Sequence, residues 1–207
     1  NIRVLEIIQT GGAVLIIGEV QTGLTIPAGG ATERFGVSPD LVALAKAIGG
    51  GLPCGAVGGR ADIMGTIDAH KVVQIVTFNG NPLTIAASKA TLLSVLTPSA
   101  YSHFDALAEA LDGGLRKVVR DYQLPFHPIT LAARGCVTYR KEPVRNYRDY
   151  LTIDKKYAYL SWLYQCNRGV LMAPGAEENW TLSVQHSEDD ALRYVRNFEE
   201  LAKDLTT

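Results

Sequence analysis

The sequence predicts an α/β fold in which a mainly parallel sheet is covered by helices and a smaller α+β part follows. Residues 13–17 (AVLII) are a continuous aliphatic run, which is typical of a parallel strand buried on both faces. Glycine-rich polar segments follow the apolar runs, as in α/β folds whose ligands bind where strands end. Segments 83–96 and 101–122 have helical character, the second with one apolar face.

Length, composition and charge are those of an ordinary globular protein. The 207 residues suggest one domain or one and a half. A hydrophobic content of 47% and a net charge of -1 are ordinary for a globular protein, and no basic excess indicates nucleic-acid binding. No apolar run is long enough to span a bilayer and no signal peptide is predicted. The three cysteines lack metal-ligand spacing, so we expect no metal site and a reducing, cytoplasmic location.

The first elements predict a site at a strand end. Residues 1–9 resemble the end of an amphipathic helix that feeds directly into the strand at 13–17. We therefore expect sheet neighbours upstream of this sequence. Gly18, Glu19 and Val20 follow the strand, where α/β proteins place their chemistry. Glu19 alone would be unremarkable, because most carboxylates at strand ends are solvated.

The central segment is residues 41–60, LVALAKAIGGGLPCGAVGGR. Its apolar residues up to Ile48 recur at helical spacing, which predicts a short apolar turn around Lys46. Three glycines then permit backbone shapes and close approaches that side chains would block. A lysine desolvated by apolar neighbours can act as an amine nucleophile and form a Schiff base. The alternative for a lone lysine is a surface side chain that snorkels out of a helix.

Residues 60–97 predict a helix, a strand and a longer helix. Residues 60–70 fit a helix, with His70 most simply a solvated surface residue, and 72–76 fit an aliphatic strand. Thr77 opens the turn TFNGNP before the helix 83–96, where a hydroxyl and exposed amides form a natural anion site. The alternative for Thr77 is a helix N-cap or turn residue.

The C-terminal part predicts further helices and short strands. Strands are predicted at 125–131, 136–140, 169–172 and 180–184, and Gly113 and Gly114 are expected to weaken or bend the helix 101–122. Asp154 is predicted to cap a helix that runs to Cys166, and Ser187 to open the last helix. Arginines at 140, 145 and 148 fit a solvated charged loop, although one could bind a substrate carboxylate.

Three motifs at fixed spacing resemble the class III aminotransferases, fold-type I enzymes that use pyridoxal 5'-phosphate (PLP). They are GEVQTG at 18–23, the segment 41–60, and TFNGNPLTIAA at 77–87. The resemblance is closest to the glutamate-1-semialdehyde 2,1-aminomutase branch. It implies that Lys46 carries PLP as an internal aldimine and that Val20 packs on the ring. Gly18 stands where the family has an aspartate that binds the pyridine nitrogen.

The resemblance covers the C-terminal half of such an enzyme. It implies that residues 1–97 are part of the PLP-binding large domain and 98–207 a small C-terminal domain. Thr77 would reach the PLP phosphate of a neighbouring subunit, so a homodimer with composite sites is expected. Glu178, with Glu177 as the adjacent alternative, would face the active-site entrance.

The expected function is that of a PLP-dependent aminotransferase or aminomutase, with a small amino donor and acceptor and an amino acid or related amine as substrate. A racemase would use the same residues. The alternative is a catalytically impaired or non-catalytic subunit of the same fold. Gly18 and the missing upstream half favour this alternative, and the intact Lys46, Thr77 and glycine run oppose it.

Overall fold

The computed structural model describes residues 7–8, 10–173 and 179–206. The predicted helix at 1–9 therefore lies largely outside the described residues. The chain forms two compact units, Asn1–Tyr101 and Ser102–Thr207, and each is described by itself. The predicted domain division between residues 97 and 98 stays a prediction.

The first unit contains a three-stranded sheet in the order β1 (Ile16–Glu19), β2 (Leu41–Ala45), β3 (Gly55–Gly59). Strands β1 and β2 run parallel, with Ile16 opposite Leu41 and Glu19 opposite Leu44. Strand β3 returns antiparallel to β2. The parallel pair confirms the predicted α/β character and brings the carboxyl ends of β1 and β2 to the same edge.

Two predictions for this sheet are wrong. Strand β1 begins at Ile16 rather than residue 13, and Ile16 is 60% exposed instead of buried on both faces. As the end strand of the described sheet, β1 pairs only with β2. The apolar spacing predicted a helical turn at residues 41–45, but these residues form strand β2. A short apolar run fits the periodicity of a helix or of a strand. Pairing with β1 on one side and β3 on the other makes this run a strand.

The first unit also contains helices. They are α1 (Gly30–Arg34), α2 (Ala61–Asp68) and α3 (Pro82–Ala90), and α3 continues into a wider π turn over Thr91–Val95. The helices predicted at 60–70 and 83–96 are thus confirmed. The strand predicted at 72–76 is wrong, because those residues have no regular structure and are exposed. They are rich in β-branched residues but pair with no strand in the described part of the chain.

Helix α4 (Pro98–Asp121) leads into the second unit, which holds an antiparallel sheet of β4 (His127–Leu131), β5 (Arg134–Thr138) and β6 (Asn179–Thr181). Helices α5 (Tyr147–Tyr150), α6 (Lys155–Asn167) and α7 (Glu188–Thr206) complete it, with α6 packed on α7. Its core is formed by large apolar side chains from these helices and strands, among them Phe104, Leu107, Leu111, Leu115, Phe126, Trp180 and Phe198.

The helix caps of the second unit lie where the sequence predicts them. The Asp154 carboxylate accepts hydrogen bonds from the amides of Lys156 and Tyr157, which confirms its predicted role. Ser187 and Asp190 cap α7 reciprocally: the Asp190 carboxylate accepts from the Ser187 amide at 2.7 Å, and the Ser187 hydroxyl accepts from the Asp190 amide at 3.3 Å.

Other predictions for this unit are wrong in part. Residues 169–172 form no strand, since Gly169 turns the chain with φ of 81° after α6, and the strand predicted at 180–184 is reduced to β6. Helix α4 runs without a break through Gly113 and Gly114. Gly114 lies directly against Val195 of α7, so this glycine allows two helices to approach closely.

Candidate active site at the carboxyl ends of the parallel strands

The parallel pairing of β1 and β2 brings two of the three sequence motifs together. Gly18 lies opposite Ala43, and Glu19 lies opposite Leu44. Lys46 follows two residues after Leu44, at the end of β2. Gly18, Val20 and Lys46 therefore share one edge of the sheet, where α/β proteins bind their ligands.

Lys46 has an unusual backbone conformation. Its φ of 56° lies in the left-handed region, which costs a residue with a Cβ roughly 1–2 kcal/mol. Lys46 also opens the 3₁₀ turn Lys46–Gly49, and the next two residues, Gly50 and Gly51, have positive φ as well. Strain of this kind persists where the surrounding structure enforces it, which is common at functional sites.

The Lys46 side chain is exposed and makes no ion pair within the described part of the chain. The expected desolvation by apolar neighbours is therefore wrong for this structure. The neighbouring apolar residues belong to strand β2, which orients them differently from a helix. Lys46 is presented at the surface as a primary amine.

Helix α3 supports the turn that carries Lys46. A Cβ placed on Gly50 would lie 3.0 Å from the Ala87 carbonyl oxygen and would also meet the Thr91 hydroxyl. The Ser88 hydroxyl donates to the Cys54 sulfur at 3.6 Å. Gly50 is thus needed for close packing of α3 on the turn, and this glycine serves the scaffold as well as the site.

Gly18 and Val20 leave open space beside the strand end. A Cβ placed on Gly18 would have no heavy atom within 4 Å, so the backbone here has room for a side chain that the sequence does not supply. Val20 is 37% exposed. Its apolar surface is available for contact with a flat ligand.

Glu19 is buried rather than solvated, which corrects the sequence interpretation. Its carboxylate accepts hydrogen bonds from the Ala31 amide at 3.0 Å, the Thr32 amide at 2.7 Å and the Thr22 hydroxyl. Burial acts to raise the pKa of Glu19, but these hydrogen bonds together outweigh it and lower the pKa below its ordinary value. The available sequence signals were Thr22 three residues later and the glycine pair at 29–30, where α1 begins.

Thr77 lies in the exposed turn that precedes α3. It has no hydrogen-bond partner within the ranges that the structure describes, so its hydroxyl is open to other molecules. The alternative that Thr77 caps the helix is wrong. The cap is Asn81, whose side chain accepts hydrogen bonds from the amides of Leu83 and Thr84.

The remaining candidates contribute little to this site. Glu178 and Glu177 lie outside the described residues. His70 is exposed, as expected. The Arg140 guanidinium lies 3.7 Å from the carboxylates of both Glu142 and Asp149, and these internal partners favour a structural role over substrate binding. Arg60, the last residue of the central motif, pairs with the carboxylates of Asp40 and Asp62 at 2.7 and 2.6 Å.

The residues at this edge fit a PLP molecule in part. Lys46 offers an exposed amine, Val20 an apolar surface and Gly18 an unfilled space. Position 18 supplies no carboxylate for a pyridine nitrogen, and the nearby Glu19 carboxylate is engaged by the loop that follows it. No cluster able to hold a metal ion occurs in the described ranges, and no helix there is long and apolar enough to cross a membrane.

Comparisons with known proteins agree with the motifs. The sequence model of the class-III aminotransferase family matches residues 1–130. A glutamate-1-semialdehyde 2,1-aminomutase from Thermomicrobium roseum is 36% identical over 196 residues, which cover 93% of this chain and 45% of that protein. The chain thus spans about half the length of the curated relatives it matches.

Solved structures show the same fold. An omega-transaminase from Sphaerobacter thermophilus superposes with a TM-score of 0.89 at 28% identity, covering 98% of this chain and 47% of that one. A glutamate-1-semialdehyde aminomutase variant from Pseudomonas aeruginosa, in complex with PMP, gives a TM-score of 0.85 at 26% identity, covering 99% and 47%. These likenesses confirm the predicted fold class.

Proposed function

This chain belongs to the class-III aminotransferases, and on that premise we propose that it carries the cofactor lysine of a PLP-dependent aminotransferase or aminomutase. The observation that supports the proposal most directly is Lys46. An exposed amine, on a backbone held in the left-handed region, stands at the carboxyl end of β2 beside the end of β1.

In this proposal Lys46 has two roles. Its Nζ would hold the cofactor covalently, and it would also serve as the base that carries a proton between the substrate carbon and a neighbouring atom. Val20 would pack on the face of the ring. PLP, when bound, supplies the electron sink for this chemistry. The left-handed backbone at Lys46 sets the direction in which its side chain leaves the turn.

The substrate class follows from the relatives. The names of the aligned proteins include aminomutases that act on glutamate-1-semialdehyde and an omega-transaminase. We propose an amino acid or related amine as the substrate, with a small-molecule amino donor or acceptor. Transfer of the amine, its migration within one molecule, and racemisation at the carbon that bears it would all use Lys46. The residues of this site therefore do not distinguish the three reactions. The cytoplasmic location stays a prediction.

We further propose a homodimer in which Thr77 serves the partner's site. The exposed Thr77 hydroxyl lies within an apolar stretch in which Ile75 is 81% and Phe78 is 79% exposed, and contiguous apolar surface of this kind marks an interaction surface. Thr77→Ala should weaken PLP binding by ~1.5–3 kcal/mol, as expected for one charge-assisted hydrogen bond. A protein that sediments as a monomer at micromolar concentration and still binds PLP normally would contradict this assignment.

A second candidate is a subunit that keeps the fold without the catalysis. Gly18 favours it, because the site lacks a carboxylate at the position where the resemblance implies one. The presence of Lys46 and of the complete glycine run favours the enzyme. The two candidates differ in covalent cofactor binding.

The deciding experiment is borohydride reduction of PLP-saturated protein followed by peptide mapping. We expect a pyridoxyl group on Lys46. Lys71 is exposed and Lys89 lies on α3, so both serve as internal controls for non-specific labelling. A label on either control in place of Lys46, or no label at all, would refute the proposed function.

A further inference from the structure

Glu19 holds the one fully buried carboxylate among the residues described, with an exposure of 1%. Burial of a charge is costly unless donors compensate it. Three donors do so here: the Thr22 hydroxyl and the Ala31 amide bind Oε2, and the Thr32 amide binds Oε1. The carboxylate therefore ties the strand end to a loop that closes 12 and 13 residues later.

The same loop touches strand β2, which leads into Lys46. The Gly23 amide donates to the Glu19 carbonyl at 2.9 Å. A Cβ placed on Gly23 would lie 2.5 Å from Leu44 Cδ2. The turn after β1 is thus packed directly on Leu44, two residues before Lys46. A shift of this turn would move the backbone that leads into the left-handed Lys46.

We infer that Glu19 is a positioning residue for the Lys46 site. Its carboxylate fixes the loop 20–32 against the strand ends, and this loop holds both Val20 and the Leu44 side of β2 in place. The inference rests on the proposed function. Glu19 acts through these residues, because both of its carboxylate oxygens are engaged by the loop.

The chemistry requires a carboxylate rather than its amide. Donors approach both oxygens of Glu19. A glutamine has one oxygen and one NH₂ group. In either orientation its NH₂ would face an N–H group of α1, at Ala31 or at Thr32. Glu19→Gln therefore preserves shape and volume but loses at least one of these hydrogen bonds.

Glu33 provides a matched control on α1, directly after this loop. Its carboxylate is exposed and accepts a hydrogen bond from the Gly29 amide at 2.6 Å, a local contact that does not reach β1 or β2. Glu33→Gln removes the same charge at the end of the same loop. A second control is Gly114→Ala, which perturbs helix packing in the second unit and tests whether loss of stability alone affects Lys46.

The experiment measures the rate at which Lys46 is labelled by PLP and borohydride, relative to Lys71 and Lys89, at a temperature where every variant is folded. We expect Glu19→Gln to slow labelling of Lys46 at least fivefold, while Glu33→Gln and Gly114→Ala stay within twofold. Thr22→Val removes one donor and should give an intermediate effect, which keeps the test valid if Glu19→Gln does not fold.

The outcomes separate this inference from the proposed function. Unchanged relative labelling in Glu19→Gln, or an equal loss in Gly114→Ala, would overturn the positioning role. If Lys46 is not labelled even in the wild type, the proposed function fails, and amide hydrogen exchange then tests the coupling alone. The variant measured is Glu19→Gln, or Thr22→Val if that variant alone folds. Faster amide exchange at residues 44–46 as well as at 20–32 would support the positioning role. Faster exchange confined to 20–32 would refute it.

Discussion

Gly30 leaves the space that the Glu19 carboxylate occupies. A Cβ placed on Gly30 would lie 2.5 Å from Oε2 and 2.8 Å from Oε1 of Glu19, and the φ of Gly30 is 70°. No other residue type combines this backbone conformation with so close an approach at low cost. The loop after β1 therefore depends on a pair of residues, one charged and one without a side chain.

Gly30→Ala should destabilise the protein by about 2 kcal/mol or more. The left-handed backbone costs roughly 1–2 kcal/mol for alanine, and the methyl group would also displace the carboxylate from its donors. Gly36→Ala is the control, because Gly36 has a similar φ of 61° and a Cβ placed on it would have no heavy atom within 4 Å. Urea unfolding would measure both, and equal losses would show that the Glu19 contact contributes nothing.

Acid should remove the contribution of Glu19 to stability. Burial acts to raise the pKa of Glu19, but the hydrogen bonds outweigh it and lower the pKa. A carboxyl group whose pKa is lower in the folded than in the unfolded state stabilises the fold. This contribution is fully present above the pKa of the unfolded state, about 4.3. It is lost as the pH falls through the pKa of the folded state. The gap in unfolding free energy between wild type and Glu19→Gln should therefore be smaller at about pH 3 than at about pH 7. A gap independent of pH would contradict the assignment.

Gly18→Asp should be tolerated by the fold and should change the site. A Cβ at this position meets no heavy atom within 4 Å, so we expect a change in unfolding free energy within about 0.5 kcal/mol. A carboxylate here would stabilise a protonated pyridine nitrogen. We expect tighter PLP binding and, in protein that contains the whole enzyme, faster reaction with an amino donor in stopped-flow spectra. If the glycine form reacts at ordinary rates and the aspartate brings no gain, the ring-nitrogen argument is wrong for this protein.

Two adjacent glycines in α4 should respond in opposite directions to alanine. Gly113 has open space around its Cβ position, whereas a Cβ on Gly114 would lie 2.7 Å from Val195 Cγ1. Gly113→Ala should stabilise the helix by roughly 0.5–1 kcal/mol. Gly114→Ala should destabilise the protein by about 1–3 kcal/mol through overpacking. Thermal unfolding measures both, and shifts of the same sign would exclude the close helix approach as the reason for Gly114.

The sequence predicted the parts of the fold that have strong local signals. Caps such as Asp154, the apolar face of α4 and the position of Lys46 after an apolar run follow from side-chain chemistry and periodicity. The strand β2 did not, because five apolar residues fit a helix or a strand equally well. Only pairing with β1 and β3, which lie outside this segment of the sequence, decides between them.

For the candidate site, too, the sequence predicted some features and not others. Lys46, Val20 and Gly18 were identified by motif and spacing, and the parallel register places them at one edge. The burial of Glu19 could not be read from its position after a strand, because it depends on amides 12 and 13 residues further along the chain. The exposure of Lys46 was missed for a related reason: which faces of β2 are covered is a property of the packed sheet.

Segment 72–78, VVQIVTF, has a consequence for the tendency of this chain to aggregate. It is uncharged, free of proline and glycine and rich in β-branched residues, which is the composition of segments that stack into cross-β fibrils. It joins neither of the two sheets in the described part of the chain, and Val73, Ile75 and Phe78 are largely exposed. A partner that covered this segment would therefore also protect the chain from amyloid-like aggregation.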